Sequence, residues 1–414
     1  MLVAYSVRSG IAALNCVAGA VPDDVPVRFV KTREDLLRAV AEGRTAGRRP
    51  VVAWSFYSVD ADAAAADLAA VRSGTQGALH VAGGVHATAE PLATLRAGFD
   101  LVAVGEGETT IRAAFEALAR GEDPRSLRGM AHLDARGGLV SHGPGERRPL
   151  DEFPSFRHGR WQAIEITRGC VYACAFCQTP FVFKARFRHR SVESVRKHVE
   201  AMASEGSRFV RFLTPTALSY GADDESPRLD AVEALLRTTR EAAGPGARVY
   251  FGTFPSEVRP EHVSAEALAI IRRWADNDAI VIGAQSGSER VLAAMRRGHG
   301  VAEVERAVRL TREAGLRPEV DLLLGFPGET RADREASLQL AERLVALGAR
   351  IHSHAMLPLP GTPMRDAIPE RIEDEVATRL ARLEARGAAW GAWRRQVIAG
   401  EQLVRRRRLG SGAR

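Results

Sequence analysis

Ala163-Ile-Glu-Ile-Thr-Arg-Gly169, running straight into Cys170-Val-Tyr-Ala-Cys174-Ala-Phe-Cys177, is the stretch that decides how this chain is read. The protein has four cysteines, and three of them fall within these last eight residues. Soft thiolates select zinc, copper(I) or iron–sulfur clusters. A structural zinc site closes a set of four ligands, and the paired CxxC of a zinc ribbon is missing. Three thiolates instead suit a cube-shaped iron–sulfur cluster that leaves one iron open to a small molecule. A zinc loop, or three unrelated thiols, is the plainer alternative. Cys16 stands far away in an apolar setting and reads as an ordinary core thiol.

At 414 residues the chain has room for two or three domains. Its hydrophobic fraction of 45% is ordinary for a globular protein. No apolar run reaches the eighteen residues of a membrane span, and the first residues lack the pattern of a signal peptide. Few cysteines, grouped for metal binding, suit a reducing cytoplasm. The net charge of +7 gathers toward the end, in Arg394-Arg395 and Arg405–Arg408. A basic tail can serve nucleic acid, but a solvated terminus is the expectation here.

Outward from the cysteine loop, the chain alternates strands and helices on both sides. Before it, strands read Leu2–Val7, Val25–Val30, Val51–Phe56, Ala78–Ala82 and Asp100–Val104, with amphipathic segments at Thr32–Ala41, Asp60–Arg72 and Glu108–Arg120. That alternation predicts a parallel, doubly wound sheet over 1–123. Ligands of such sheets sit at the carboxyl ends of the strands. Two glycine-bearing loops fall there: Gly83-Gly84-Val85-His86-Ala87-Thr88 and Gly105-Glu106-Gly107-Glu108-Thr109. Glycine lets backbone approach a ligand closely. Residues 124–160 break the pattern and read as a linker with a hairpin across Ala135-Arg-Gly-Gly. From 161 to 365 six further strands are expected: Ala163–Thr167, Phe209–Leu213, Arg248–Phe251, Ala279–Gly283, Glu319–Leu324 and Arg350–Ala355. Residues 366–414 read as a helical C-terminal cap with the basic tail.

The CxxxCxxC spacing, with Phe176 before its last cysteine, resembles the signature of the radical SAM enzymes. Six strand–helix units resemble the open (β/α)6 barrel of that family, with chemistry at the carboxyl-end loops. The resemblance implies a [4Fe–4S] cluster on Cys170, Cys174 and Cys177 and S-adenosylmethionine on its open iron. Later segments follow the family in order. Phe254-Pro-Ser-Glu-Val-Arg-Pro260 implies Ser256 and Glu257 for the ribose and methionine parts. Gly283-Ala-Gln-Ser-Gly-Ser-Glu289 resembles a Gly-x-Glu-Ser-Gly-Ser pattern, with Gln285 in place of the glutamate and Ser286 beside it. Met295-Arg-Arg-Gly-His299 implies Arg297 for the methionine carboxylate, where an arginine fork suits the geometry. Leu324-Gly-Phe-Pro-Gly-Glu-Thr330 implies Phe326 near the adenine. Thr214, or Thr216, stands where relatives keep a Gly-Gly-Glu motif.

The two N-terminal loops, read together, resemble the Rossmann-like cobalamin-binding domain that often precedes a radical SAM domain. This implies Gly83, Gly84, His86, Thr88, Gly105, Glu106 and Glu108 as cofactor contacts. Tyr57 or Phe56 would lie against the lower corrin face. The Asp-x-His-x-x-Gly motif of cobalt-ligating histidines is absent, so the resemblance implies a displaced base and no histidine on cobalt. Certain strings resemble a compact archaeal and bacterial group of such proteins.

The implied activity is a cobalamin-dependent methyl transfer from S-adenosylmethionine to an unactivated carbon or phosphorus. A rearrangement or cyclisation without methyl transfer, a cobalamin or redox sensor, and a methylthiotransferase are the alternatives. The last would bring further N-terminal cysteines. The expected partners are a small-molecule or peptide substrate and a flavodoxin- or ferredoxin-type reductant of a monomeric enzyme. No individual catalytic residue is indicated.

Overall fold

The strands rich in Val, Ile, Leu and Ala form two separate α/β units, Met1–Trp161 and Gln162–Arg414. This computed structural model describes residues 1–6, 10–154 and 156–411. In the first unit, β1 (Leu2–Tyr5), β2 (Val27–Val30), β3 (Val51–Ser55), β4 (Leu79–Gly83) and β5 (Leu101–Ala103) pair in parallel in the order β2-β1-β3-β4-β5. Val7, expected in the first strand, lies outside the described residues.

Side chains alternate along these strands and feed two cores. Val3, Tyr5, Val52, Trp54, Ala82 and Val102 meet Leu36, Val40, Leu68 and Val71 from the helices Arg33–Thr45 and Ala61–Val71. Leu2, Ala4, Val51, Ala53, Val81 and Leu101 meet Leu14, Ala18, Ile111 and Phe115 from Ile11–Ala20 and Gly107–Ala119. Helices on both faces make the sheet doubly wound, as expected. Ile11–Ala20 was not foreseen, because its Ala, Gly and Val residues are small and apolar all round and show no helical period.

The expected linker is corrected. Its hairpin, β6 (Met130–Leu133) and β7 (Leu139–Ser141), adds two antiparallel strands beyond β5. Val102 pairs with Ala131, and Met130 is fully buried. Residues 124–160 therefore belong to the first unit.

In the second unit the cysteine loop lies between short strands: β8 (Ile164–Glu165), β9 (Thr167–Arg168) and β10 (Arg188–His189), the last two antiparallel. Then come β11 (Phe209–Leu213), β12 (Arg248–Tyr250), β13 (Ala279–Gln285), β14 (Arg317–Leu324), β15 (Arg350–Ala355) and β16 (Ala389–Gly391). Parallel sheets β12-β11-β8 and β13-β14-β15-β16 are joined by a bridge between Val258 and Ile282. The six expected barrel strands are all present and parallel. The C-terminal segment needs correction: between the helices Asp374–Ala385 and Trp393–Ser411 it supplies β16, a seventh parallel strand beside β15.

Candidate functional site

The cysteine loop is held shut by backbone. Gly169 has φ 81°, and a Cβ there would stand 2.0 Å from the Arg186 carbonyl oxygen, so only glycine fits. Ala175 N–H donates to the Met295 carbonyl (3.0 Å), and Gln178 Nε2 donates to the Pro360 carbonyl (2.7 Å). Cys170, Tyr172 and Cys174 are buried together, with Phe176 and Cys177 against them. Phe176 also packs on Val291, Met295, Leu323, Phe326 and Met356, so the two aromatics singled out from sequence share one apolar wall.

The donor set fits a cluster better than zinc. Thiolates bound to one zinc at about 2.3 Å lie within roughly 4 Å of one another. Among the described residues, the one trio of potential ligands with all donor atoms inside 4.8 Å is Asp321, His352 and His354. The three sulfurs are therefore spread wider than a shared zinc ion allows. Burial pushes the Cys170 thiol up to about 12 and raises that of Cys177. Such sulfurs become thiolates only beside compensating positive charge, which cluster irons supply.

Two arginines converge on this loop. Arg297 Nη1 donates to Cys174 Sγ (3.5 Å) and its Nη2 to the Gly283 carbonyl (2.6 Å), with Glu257 3.9 Å away. Arg259 Nη1 reaches the same sulfur at 4.0 Å, and its guanidinium lies 3.6 Å from the centre of the Tyr172 ring. Arg259 Nε also donates to Glu261 (2.5 Å). Burial works against the Glu261 charge, but His299 and Arg259 outweigh it and hold the carboxyl well below its ordinary range. Arg259 lies inside the Phe254–Pro260 string, but the sequence reading assigned it no role. Glu257 sits against Gly283, whose Cβ would come within 2.7 Å of the carboxylate. Burial lifts Glu257 to about 7, against the pull of Arg297.

Other expected contacts prove to be braces. Ser256 Oγ donates to the Phe212 carbonyl (2.8 Å) and accepts the Thr214 N–H (3.2 Å), tying the segment after β12 to the end of β11. Thr214 Oγ1 donates to the Thr216 carbonyl. Ser286 Oγ shares a hydrogen bond with Ser337 and accepts the Ser288 N–H. Through these bonds the short hydroxyls brace the fold, and each keeps acceptor capacity. The buried Thr216 hydroxyl, in contrast, has no partner. Gln285 ends β13 at φ 72°, just past a bulge at Gly283.

On β14 and β15 the Asp321 carboxylate lies 2.9 Å from His352 Nδ1 and 3.8 Å from His354 Nε2, and the two nitrogens are 3.1 Å apart. Gln396 decides what this trio is. Its Oε1 accepts the Ala355 N–H (2.8 Å), which turns its NH2 toward His354 Nδ1 (3.3 Å). Nδ1 accepts, so the ring proton sits on Nε2 facing Asp321. A metal on Nε2 would place the proton on Nδ1, against the amide donor. The trio is a hydrogen-bonded carboxylate with an aromatic brace: Trp390 of β16 stacks on His352 at 3.7 Å.

In the first unit, three strand ends meet at Ser55. A Cβ on Gly84 (φ 87°) would stand 2.7 Å from Ser55 Oγ, and one on Gly10 (φ 80°) 2.3 Å from its carbonyl oxygen. This is where β1 separates from β3, the switch point of a doubly wound sheet. Gly83 closes β4. Thr88 Oγ1 accepts the Gly105 N–H (2.9 Å) and ties the two glycine loops together. Glu106 and Glu108 are buried, Glu106 with Arg147 3.5 Å away. His86 is buried, its Nδ1 3.0 Å from Ser58 Oγ. Phe56 is core, packed between His86 and Phe99, whereas Tyr57 is 55% exposed. His80 uses both nitrogens, on Trp54 (3.1 Å) and Thr75 (2.9 Å), and offers none to a metal. The glycines here are required by close packing on Ser55, and His80 has no nitrogen left for a cobalt. Cys16 is buried in Ile11–Ala20, as expected.

An α/β unit with a three-cysteine loop after its first barrel strand has the ligand set of an iron–sulfur protein. Residues 164–341 match the model of the Radical SAM superfamily, so the chain carries a radical SAM enzyme domain, which implies a [4Fe–4S] cluster and S-adenosylmethionine. In sequence it is similar to tRNA-2-methylthio-N(6)-dimethylallyladenosine synthases. That of Chlorobium phaeobacteroides is 30% identical over 239 residues, 56% of this chain and 52% of the relative. That of Thiobacillus denitrificans is 32% identical over 247 residues, 58% and 53%. The chain thus spans about half the length of these curated relatives. In fold it resembles the radical S-adenosylmethionine methyltransferase TsrM of Kitasatospora setae, solved with cobalamin and a [4Fe–4S] cluster, at TM-score 0.70 and 20% identity over 89% of this chain and 74% of that one. OxsB, a cobalamin-dependent S-adenosylmethionine radical enzyme solved with aqua-cobalamin, aligns at TM-score 0.68 and 15% identity over 93% and 55%.

Proposed function

We propose that the chain is a cobalamin-dependent radical SAM methyltransferase acting on an unactivated carbon, or phosphorus, of a small-molecule or peptide substrate. The observation that carries this reading is the pair of glycine-bearing loops that Thr88 and Gly105 tie together at the strand ends, in a chain that also holds the cysteine loop. The likeness in fold to TsrM and OxsB supports it. Cys170, Cys174 and Cys177 would hold the cluster, and Gly83, Gly84, Thr88, Gly105, Glu106 and Glu108 would line the cobalamin site. When bound, the cluster supplies an electron that splits S-adenosylmethionine, and cobalamin carries the methyl group.

The chain's own part is placement and exclusion. Arg297, buried between Cys174 and Gly283, presents a fixed cation where the methionine carboxylate is proposed to lie. Glu257, pushed toward neutrality by burial, can accept from or donate to the same cofactor's polar groups. Phe176 and Phe326 wall the cluster from water. The electron is proposed to come from a flavodoxin- or ferredoxin-type protein. Among the described residues no helix is long and apolar enough to cross a membrane.

The sequence relatives favour a second reading, methylthiotransfer, which would call for a further set of cluster cysteines. Upstream of Cys170 this chain has Cys16 alone, buried in a helix. Electron paramagnetic resonance of the Co(II) form separates the readings. Bound cobalamin without nitrogen splitting from the protein supports the proposal; a histidine nitrogen on cobalt, or failure to bind cobalamin, contradicts it.

A further inference from the structure

We propose that Arg259 and Arg297 form a buried cationic clamp on the Cys174 sulfur that raises the reduction potential of the cluster. The two guanidiniums come from different segments, the loop after β12 and the turn after the helix Glu289–Ala294, yet reach one atom, at 4.0 Å and 3.5 Å. The Arg259 and Arg297 side chains are each 3% exposed. Their remaining hydrogen bonds do not complete them: Arg259 Nη2 and Arg297 Nε are buried without a partner. Arg259 is paired with Glu261 and Arg297 lies near Glu257, yet both also direct a guanidinium nitrogen at the one Cys174 sulfur and keep a buried donor without a partner.

The physical reason is charge. A one-electron reductant adds one electron to the cluster; no bond forms or breaks, and the cluster becomes more negative by one unit. Nearby positive charge and hydrogen bonds to the ligand sulfurs favour that reduced form, and cluster potentials follow both. Both guanidinium side chains are buried, so their interaction with the sulfur is poorly screened. Tyr172 fixes Arg259 against its ring face, a geometry suited to a guanidinium. The pair are positioning residues toward the cluster; they are not assigned a bond to any reacting atom.

The inference rests on the reading that Cys170, Cys174 and Cys177 hold the cluster. Arg259→Gln and Arg297→Gln are made separately, so that either loaded variant decides, beside Arg259→Lys, Arg297→Lys and the distant Arg350→Gln. Iron and sulfide content is measured first, then the midpoint potential by redox titration followed by electron paramagnetic resonance. Each glutamine variant is expected to hold four irons and to need a potential more negative by about 59 mV, a tenfold change in the reduced-to-oxidised ratio for one electron. The lysine variants keep the charge and should stay within about threefold of the wild type, as should Arg350→Gln. Potentials unchanged in fully loaded glutamine variants would overturn the clamp while leaving the cluster assignment standing. So would lysine variants that shift as far as glutamine, or loss of the cluster from both glutamine variants. A Cys174→Ala variant that still holds four irons would instead overturn the underlying assignment.

Discussion

The Ser55 hydroxyl stands where a side chain on Gly84 would have to go: a Cβ there would approach it to 2.7 Å, and the Gly84 φ of 87° already disfavours any other residue. The ends of β3 and β4 therefore meet with the Ser55 side chain packed on the bare Gly84 backbone. Gly84→Val should force these loops apart, with backbone strain of about 1–3 kcal/mol. Cobalamin bound per chain is expected to fall at least tenfold, as read by absorbance, while iron content stays at the wild-type value. Full cobalamin loading of the variant would remove these loops from the account.

Cluster ligation predicts a sharp division among the four cysteines. Cys170→Ala, Cys174→Ala and Cys177→Ala should each lose the four-iron cluster. Cys16→Ala, in a helix of the other unit, should keep it. Iron and sulfide analysis of anaerobically purified protein checks all four, and cluster loss from Cys16→Ala would refute the ligand assignment.

What was legible in sequence was local. The cysteine loop announces its chemistry within eight residues, and the barrel strands stand out as apolar runs between charged helices. What was lost depended on pairing. Ala389–Gly391 is too short to show against the arginine-rich helices around it, and becomes a strand only because His352 offers it a ladder partner. The hairpin at 130–141 looked like a linker because nothing local says that Ala131 will pair with Val102. Arg259 has no local signal at all; its position over Tyr172 arises from bringing together segments 87 residues apart. Nothing local in the sequence says that the Ser256 and Ser286 hydroxyls also bond the Phe212 carbonyl and Ser337.

Acid sensitivity follows from His80. Burial, with the Arg72 charge adding to it and Asp100 opposing it, lowers its pKa from the usual 6.5 to about 4. The unfolded chain then binds more protons than the fold between those values. His80 thus contributes stability that is complete above pH 6.5 and is lost as pH falls toward 4. Between pH 7 and pH 5 the loss should be about 2 kcal/mol. Urea unfolding at both values should show wild type losing that much more than His80→Gln; equal losses would contradict the assignment.

Gly283 predicts a separable defect. A methyl group there would come within 2.7–2.8 Å of the Glu257 carboxylate. Gly283→Ala should displace Glu257 and weaken S-adenosylmethionine binding about tenfold by calorimetry, with iron content unchanged. Unaltered affinity would take Glu257 out of the cofactor site.

The central claim is that the methyl group of S-adenosylmethionine travels by way of cobalamin. Substrate is not needed to test it, because the first methyl transfer stays within the enzyme. Cluster-loaded protein is prepared with and without cobalamin and given S-adenosylmethionine and a one-electron reductant anaerobically, and S-adenosylhomocysteine is quantified by mass spectrometry. About one S-adenosylhomocysteine per bound cobalamin is expected, and none above background in cobalamin-free protein that still cleaves S-adenosylmethionine slowly to 5′-deoxyadenosine. Undiminished S-adenosylhomocysteine in the cobalamin-free protein would contradict the account.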